Sequence, residues 1–224
     1  MLSLEKKFLF IHVPKTGGNS IQNILKDFSE DKIVCLADHQ DGIERFGVEN
    51  DKYNTKKHST LDQYRKVIEN NVYQELFKFS TIRNPWDRCV SFYFSPSRGK
   101  IEWNRESFRA FIHKIPTINY FITHNSWLDK INRKLGRSPI QKSKPIDNDI
   151  DFLIRFENLN EDFKTVCEKI DIPHVKLPHR NKSIRSHYSK YYDNELVELV
   201  RIKFRDEIKY GDYCYEELTT EKIR

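Results

Sequence analysis

Residues 8–28 have the sequence FLFIHVPKTGGNSIQNILKDF, and this stretch decides the fold. The apolar run at residues 8–13 predicts a buried β-strand. The sequence PKTGG at residues 14–18 ends the strand, and Asn19 or Ser20 can cap a helix whose apolar residues follow at helical spacing. A buried strand that leads through a glycine loop into a helix is typical of α/β proteins that bind phosphate.

The loop contains several groups that can bind an anion. Its candidate ligands are Lys15, Thr16, Gly17, Gly18, Asn19 and Ser20. The first turn of a helix has unpaired N–H groups and a partial positive charge, and glycines let the backbone approach an oxyanion closely. A Walker A loop places its lysine after the second glycine, whereas Lys15 precedes both glycines, so this is not an ordinary nucleoside triphosphatase loop. The alternative is a plain tight turn between a strand and a helix.

A second apolar strand, predicted at residues 77–82, is also followed by a polar turn and a helix. Arg83 ends the strand, and Ser91 lies on about the third turn of the helix predicted at residues 86–94. An arginine at a strand end can bind a phosphate with two hydrogen bonds, and the serine can donate another. The alternative is that Arg83 pairs with the carboxylate of Asp87.

Strands and helices alternate along the rest of the chain. A third buried strand is predicted at residues 151–156, and the polar residues 38–54 are predicted to be irregular. Further helices are predicted at residues 61–70, 108–115, 120–127 and 159–170, and one C-terminal helix carries Leu196, Val200, Phe204 and Ile208 on one face. This order predicts an α/β fold with a parallel sheet flanked by helices, in a single domain spanning residues 1–224.

The composition limits the class of protein. The chain has 224 residues and 13% aromatic residues, which is enough for one domain with a sizeable core. No run approaches the roughly 20 apolar residues of a membrane span, and the first residues lack a signal-peptide pattern, so we expect a cytoplasmic protein without a membrane span. Four scattered cysteines predict neither disulfides nor a zinc site. The net charge of +6 favours an anionic ligand but is a weak argument for nucleic acid.

In these motifs the chain resembles the cytosolic and Golgi sulfotransferases, and most of all the branch with the uronyl and heparan-sulfate 2-O-sulfotransferases and their bacterial relatives. Residues 12–20 are similar to the family's 5′-phosphosulfate loop, and residues 79–88 with Ser91 are similar to its 3′-phosphate site. Residues 154–159 are similar to its third strand and helix. Residues 178–183 are similar to the late segment that closes over the nucleotide.

The resemblance implies a P-loop-like sulfotransferase domain that needs no metal. It implies that the donor is 3′-phosphoadenosine 5′-phosphosulfate, released as adenosine 3′,5′-bisphosphate, and that Lys15 assists the reaction. The branch carries its catalytic histidine before the second strand, so His58 is the candidate base. The late segment adds Asn181, Lys182 and Ser183 to the candidate donor-binding residues.

The resemblance also implies an acceptor hydroxyl on a carbohydrate, and it allows a homo-oligomer. The basic segments at residues 133–144 and 179–190 could flank a cleft for an anionic glycan, or they could be solvated loops. Trp103, His124 and Trp127 could stack on sugar rings, or they could belong to the core.

Two other classes stay open at this point. A nucleotide kinase or NTPase with an atypical phosphate loop would use magnesium and an aspartate at the end of a strand. The third predicted strand instead contains Arg155 and leads to Glu157. A basic nucleic-acid-binding module would need a basic stripe with interleaved aromatic residues on one face, whereas the charges here are scattered.

Overall fold

The computed structural model of the chain describes residues 1–35, 46–123, 149–177 and 185–216. In these residues the strands, in chain order, are β1 (Leu2–Ser3), β2 (Phe8–Ile11), β3 (Lys32–Cys35), β4 (Phe46–Asn50), β5 (Thr55–Lys56), β6 (Phe77–Ile82) and β7 (Phe152–Arg155). The α-helices are α1 (Gly18–Leu25), α2 (Leu61–Val67), α3 (Asn70–Glu75), α4 (Pro85–Tyr93), α5 (Arg105–Lys114), α6 (Asn119–Ile122), α7 (Leu159–Lys169), α8 (Asn194–Lys203) and α9 (Arg205–Gly211).

Three parallel strands form the centre of the fold. Strand β6 lies between β2 and β7, and Phe79 of β6 is paired with Phe10 on one side and Phe152 on the other. The short β1 pairs antiparallel with β2 at the sheet edge. The predicted α/β fold with a parallel sheet flanked by helices is confirmed, whereas the extent of the domain over residues 1–224 stays a prediction.

Side chains of successive residues in β2 point to opposite faces of the sheet, as the two-residue period of a strand requires. Phe8 and Phe10 belong to a core shared with α1 and α7. Leu9 and Ile11 belong to a second core shared with α2, α3 and α6. A third apolar cluster joins α4, α5 and α8. The continuous apolar run that predicted this strand is therefore explained by burial on both faces.

The prediction of an irregular segment at residues 38–54 was wrong for its second half. Strand β4 pairs antiparallel with β3 and with β5, and Val48 is aligned with Ile33. These strands are short and mix apolar residues with polar ones, and Gly47 lies inside β4, so the continuous apolar run of a buried strand is missing. The single predicted C-terminal helix was also wrong, because the chain bends at Phe204 and forms α8 and α9.

Two further helix predictions differ from the structure in their bounds. The helix predicted at residues 61–70 ends at Val67, and α3 begins three residues later. The helix predicted at residues 120–127 instead spans Asn119–Ile122 and ends there, because Thr123 has an extended backbone, and residues 124–148 lie outside the described ranges. Within the described residues, no helix has the length and apolar character needed to cross a lipid bilayer.

A buried arginine on α4 holds the glycine loop by a hydrogen bond to its backbone. The Arg88 side chain on α4 donates from Nε to the carbonyl of Pro14 at 3.1 Å and from Nη2 to the carbonyl of Pro116 at 3.0 Å. Its Nη1 lies 3.7 Å from Oε1 of Glu207 on α9, and both residues are 1% exposed. The same Glu207 oxygen accepts a hydrogen bond from the Ile118 backbone at 2.6 Å. This pair therefore ties α4 and α9 to the loop that follows β2.

We expect Arg88→Ala to lower the free energy of unfolding by roughly 3–5 kcal/mol, because it removes the buried partner of Glu207 and leaves the carbonyls of Pro14 and Pro116 without their donor. Urea unfolding measures this change. Arg201→Ala is the matched control, since Arg201 pairs with Glu198 at the surface and such pairs contribute little. Equal destabilisation by the two substitutions would contradict the assignment of Arg88 as a buried brace.

Candidate active site

Two residues with a left-handed backbone conformation shape the loop after β2. Lys15 has φ 69° and Gly17 has φ 87°, and helix α1 begins at Gly18. A Cβ atom on Gly18 would lie 2.2 Å from the ring of His12, so only glycine fits there. The loop thus presents the backbone N–H groups at the start of α1 in one direction, which is the arrangement that binds phosphate or sulfate groups at a helix N-terminus.

The hydroxyl of Thr16 forms hydrogen bonds within the protein. Its Oγ1 donates to the carbonyl of Val13 at 2.7 Å and lies 2.5 Å from the hydroxyl of Thr81 on β6. Thr16 is 1% exposed. Its side chain therefore joins the loop to the neighbouring strand, and its backbone N–H is the group left for an anion. Asn19 is half-buried and Ser20 is buried, both on the first turn of α1.

Lys15 extends from the loop toward the end of α4, where its Nζ lies 3.4 Å from Oγ of Ser95. Burial of the side chain, together with the positive charges of Arg83 and Arg185, lowers the pKa of Lys15 to about 8. An amine with this pKa exchanges its proton near neutral pH, and a nearby anion will stabilise its charged form.

Arg83 lies at the end of β6 and contacts both of its predicted partners. Its Nε and Nη2 donate to Oδ2 of Asp87 at 2.8 and 2.5 Å. Its Nη1 donates to the carbonyl of Lys15 at 3.1 Å and lies 3.4 Å from Oγ of Ser91. The guanidinium stacks 3.8 Å from the ring centroid of Phe156. Pairing with Asp87 and proximity to Ser91 were alternatives in the sequence, and the structure combines them.

Arg185 is a site residue that the sequence reasoning missed. Its Nη2 donates to Oδ1 of Asp87, so one carboxylate joins it to Arg83. The sequence assigned donor binding to Asn181, Lys182 and Ser183 instead, and these three residues lie outside the described ranges. The available signal was the basic stretch itself, but spacing does not reveal which of its residues turns inward.

His58 contacts His12, which lies just before the glycine loop, and this contact places His58 next to the loop. Its Nδ1 is 3.1 Å from the carbonyl oxygen of His12, and the two rings are 4.7 Å apart. Because Nδ1 donates to this carbonyl, Nε2 carries the lone pair and can accept a proton. Desolvation lowers the pKa of His58, the hydrogen bond to His12 opposes that change, and the positive charge of Lys57 adds to it.

The chain around His58 is held by local hydrogen bonds. The hydroxyl of Ser59 accepts from the backbone N–H of Lys56 at 2.9 Å, and the Ser59 N–H donates to the Lys56 carbonyl at 2.8 Å. Thr60 and Gln63 then form a capping box at the start of α2. His58 therefore stands on a short, well-bonded turn between β5 and α2.

The candidate acceptor residues are only partly described. Trp103 is 39% exposed and packs against the rings of Tyr93, Phe108 and Tyr191. His124, Trp127 and the basic segment at residues 133–144 lie outside the described ranges. Among the residues that the structure does describe, no group of three or more His, Cys, Asp or Glu side chains is arranged to hold a metal ion.

Comparisons with known proteins bear on the family of this chain. Over 129 residues the chain is 30% identical to an uncharacterized protein of Archaeoglobus fulgidus. The aligned region covers 55% of this chain and 95% of that protein. A solved structure of mouse sulfotransferase SULT7A1 complexed with PAP superposes with a TM-score of 0.46 and 14% identity, over 94% of this chain and 87% of that one. The 2-O-sulfotransferase branch is not singled out. The family model described as "Sulfotransferase family" matches residues 1–213, and the chain therefore belongs to the sulfotransferase family.

Proposed function

We propose that this enzyme transfers a sulfuryl group from 3′-phosphoadenosine 5′-phosphosulfate to a hydroxyl group of an acceptor, by in-line displacement with His58 as the base. The observation that carries the proposal is the meeting of the glycine loop, Arg83 and Ser91 at the same edge of the sheet, with His58 beside the loop. A donor with two separate phosphate groups needs two such anion sites. The acceptor hydroxyl that attacks the sulfuryl group needs a base nearby.

The two anion sites divide the donor between them. The N–H groups at the start of α1 and the ammonium of Lys15 suit the 5′-phosphosulfate, because it is an oxyanion at a helix N-terminus. The Nη1 edge of Arg83 and the hydroxyl of Ser91 beside it suit the 3′-phosphate, since a guanidinium and a hydroxyl both donate hydrogen bonds to phosphate oxygens. By resemblance, the late segment with Asn181, Lys182 and Ser183 completes the donor site.

His58 and Lys15 act at the two ends of the bond exchange. His58 Nε2 takes the proton of the acceptor hydroxyl while its oxygen forms a bond to sulfur. The bond from sulfur to the bridging phosphate oxygen breaks, and its electron pair stays on that oxygen. Lys15 and the loop N–H groups stabilise this developing negative charge, as in phosphoryl transfer.

The acceptor class rests on the resemblance alone. We propose a carbohydrate hydroxyl as the acceptor, a cytoplasmic location and an enzyme that can form a homo-oligomer. The kinase alternative gains no support from the acidic residue after β7. Glu157 accepts hydrogen bonds from the backbone of Asn84 at 2.8 Å and from the hydroxyl of Tyr213 at 2.9 Å, so both of its carboxylate oxygens are engaged within the protein.

The function is tested by incubating the enzyme with ³⁵S-labelled donor and a panel of polysaccharides, phenols and lipids, with EDTA present. We expect label to be transferred to a hydroxyl acceptor, and polysaccharides to be the best acceptors. Magnesium should be dispensable, because lysine and backbone N–H groups supply the positive charge. Magnesium-dependent ATP turnover without transfer of label would overturn the proposal in favour of the kinase class.

Replacement of the base should separate catalysis from binding. We expect His58→Gln to lower turnover by about 10²–10⁴-fold, since a positioned base contributes that much. Calorimetry should find the affinity for adenosine 3′,5′-bisphosphate unchanged. His113→Gln is the control, because His113 lies on the exposed end of α5. Near-normal turnover of His58→Gln would rule out His58 as the base.

The protonation of Lys15 predicts how donor binding depends on pH. The pKa of Lys15 is lowered to about 8 in the free protein, so above this pH the amine is neutral and binding a phosphate must first recover a proton. The affinity for adenosine 3′,5′-bisphosphate should therefore fall as pH rises from about 8 to 10.

Two arginine substitutions test which lysine causes that fall. Lys15→Arg keeps its charge throughout the range and should bind with little pH dependence. Burial also lowers the pKa of Lys57 to about 8, so Lys57→Arg is the matched control and should keep the decline. A decline that persists in Lys15→Arg and disappears in Lys57→Arg would contradict the assignment.

A further inference from the structure

One carboxylate holds two arginines at the candidate 3′-phosphate site. Oδ2 of Asp87 accepts from Nε and Nη2 of Arg83 at 2.8 and 2.5 Å, and Oδ1 accepts from Nη2 of Arg185. The three side chains are 10%, 19% and 10% exposed for Arg83, Asp87 and Arg185. Two neighbouring guanidinium groups repel each other. The carboxylate between them offsets this repulsion and allows both arginines to lie at the candidate 3′-phosphate site.

The bonds to Asp87 decide which edge of Arg83 remains for a ligand. Nε and Nη2 donate to the carboxylate, whereas Nη1 donates to the carbonyl of Lys15 at 3.1 Å and lies 3.4 Å from the hydroxyl of Ser91. The planar guanidinium has five N–H donors in a fixed arrangement, so fixing one edge fixes the other. Without the carboxylate, the Nε edge would be a nearly buried donor without an acceptor, and the guanidinium could rotate away from Ser91.

Asp87 is itself held in place. It lies on the first turn of α4, where its backbone N–H donates to Oδ1 of the capping residue Asn84 at 3.3 Å, and where the helix dipole favours a negative charge. Burial acts to raise the pKa of Asp87, but the charges of Arg83 and Arg185 lower the pKa below its usual value overall. The carboxylate is therefore ionised at neutral pH and anchored by a rigid element.

We propose that Asp87 is a positioning residue for the 3′-phosphate: it holds Arg83 and Arg185 together, and it orients Arg83 so that its Nη1 edge, beside the hydroxyl of Ser91, faces one phosphate group. This inference rests on the proposed function, and in particular on Arg83 as the ligand of the 3′-phosphate. Asp87 keeps its arginine contacts when the phosphate binds. It does not leave as a displaced competitor, because both of its oxygens are already used by the nearly buried guanidinium edges.

The test compares two nucleotides that differ by the 3′-phosphate. Calorimetry gives the affinities of the wild type and of Asp87→Asn for adenosine 3′,5′-bisphosphate and for adenosine 5′-monophosphate. We expect Asp87→Asn to bind the bisphosphate roughly tenfold more weakly, since hydrogen bonds to a charged group are lost. The affinity for the monophosphate should not change, so the ratio of the two affinities reports on positioning and not on general damage.

Two matched variants separate positioning from other roles. Asp193→Asn removes a carboxylate that also binds an arginine, Arg105, at 2.6 Å and also caps a helix, but it lies at the surface and should leave both affinities unchanged. Asp87→Glu keeps the charge but displaces it along the side chain. It should lose bisphosphate affinity in the same direction by a smaller factor, and it provides the test if the asparagine variant fails to fold.

A double substitution shows whether Asp87 acts through Arg83. Arg83→Ala should weaken bisphosphate binding, and adding Asp87→Asn to it should weaken binding by much less than Asp87→Asn does in the wild type. Tighter bisphosphate binding by Asp87→Asn would identify a competing anion and overturn the inference. If Arg83→Ala weakens binding but Asp87→Asn does not, the inference alone fails. If Arg83→Ala has no effect, the proposed 3′-phosphate site fails with it.

Discussion

The parallel pairing of β2 with β6 brings the functional groups of this protein together. Parallel strands end at the same edge of a sheet, so the loop after β2 and the turn after β6 become neighbours in space although they are far apart in sequence. The hydrogen bond between the hydroxyls of Thr16 and Thr81 and the bond from Arg83 to the carbonyl of Lys15 both cross this boundary. The register of the two strands thus sets the distance between the two candidate anion sites.

Holding positive charge in a protected site has a cost, and the structure offsets it with fixed acceptors. Arg83 and Arg88 are both buried, and each is bonded to a backbone carbonyl of the glycine loop as well as to an acidic side chain. Buried charges are tolerated when they are paired and hydrogen-bonded. The consequence is a loop that is rigid before any ligand arrives, which reduces the entropy lost on binding.

The sequence predicted the parts of this site that depend on local pattern. The buried strands could be predicted because both faces of the sheet are covered, which makes the strands continuously apolar. The glycine loop could be predicted because the positive φ of Gly17 and the close approach of Gly18 to His12 both favour glycine. Side-chain direction was not visible. Thr16 looked like a ligand but turns inward, and Arg185 looked like part of a solvated basic stretch but reaches Asp87 from a distant segment. Strand β4 was missed because its pairing, and not its own apolar content, makes it a strand.

A crystal structure with adenosine 3′,5′-bisphosphate tests the central claim most directly, because the claim concerns where two phosphate groups lie. The account predicts that the 3′-phosphate lies within hydrogen-bond distance of Nη1 of Arg83 and Oγ of Ser91, and that the 5′-phosphate lies against the N–H groups at the start of α1. A bisphosphate bound with its 3′-phosphate away from Arg83, or bound outside the loop after β2, would contradict it.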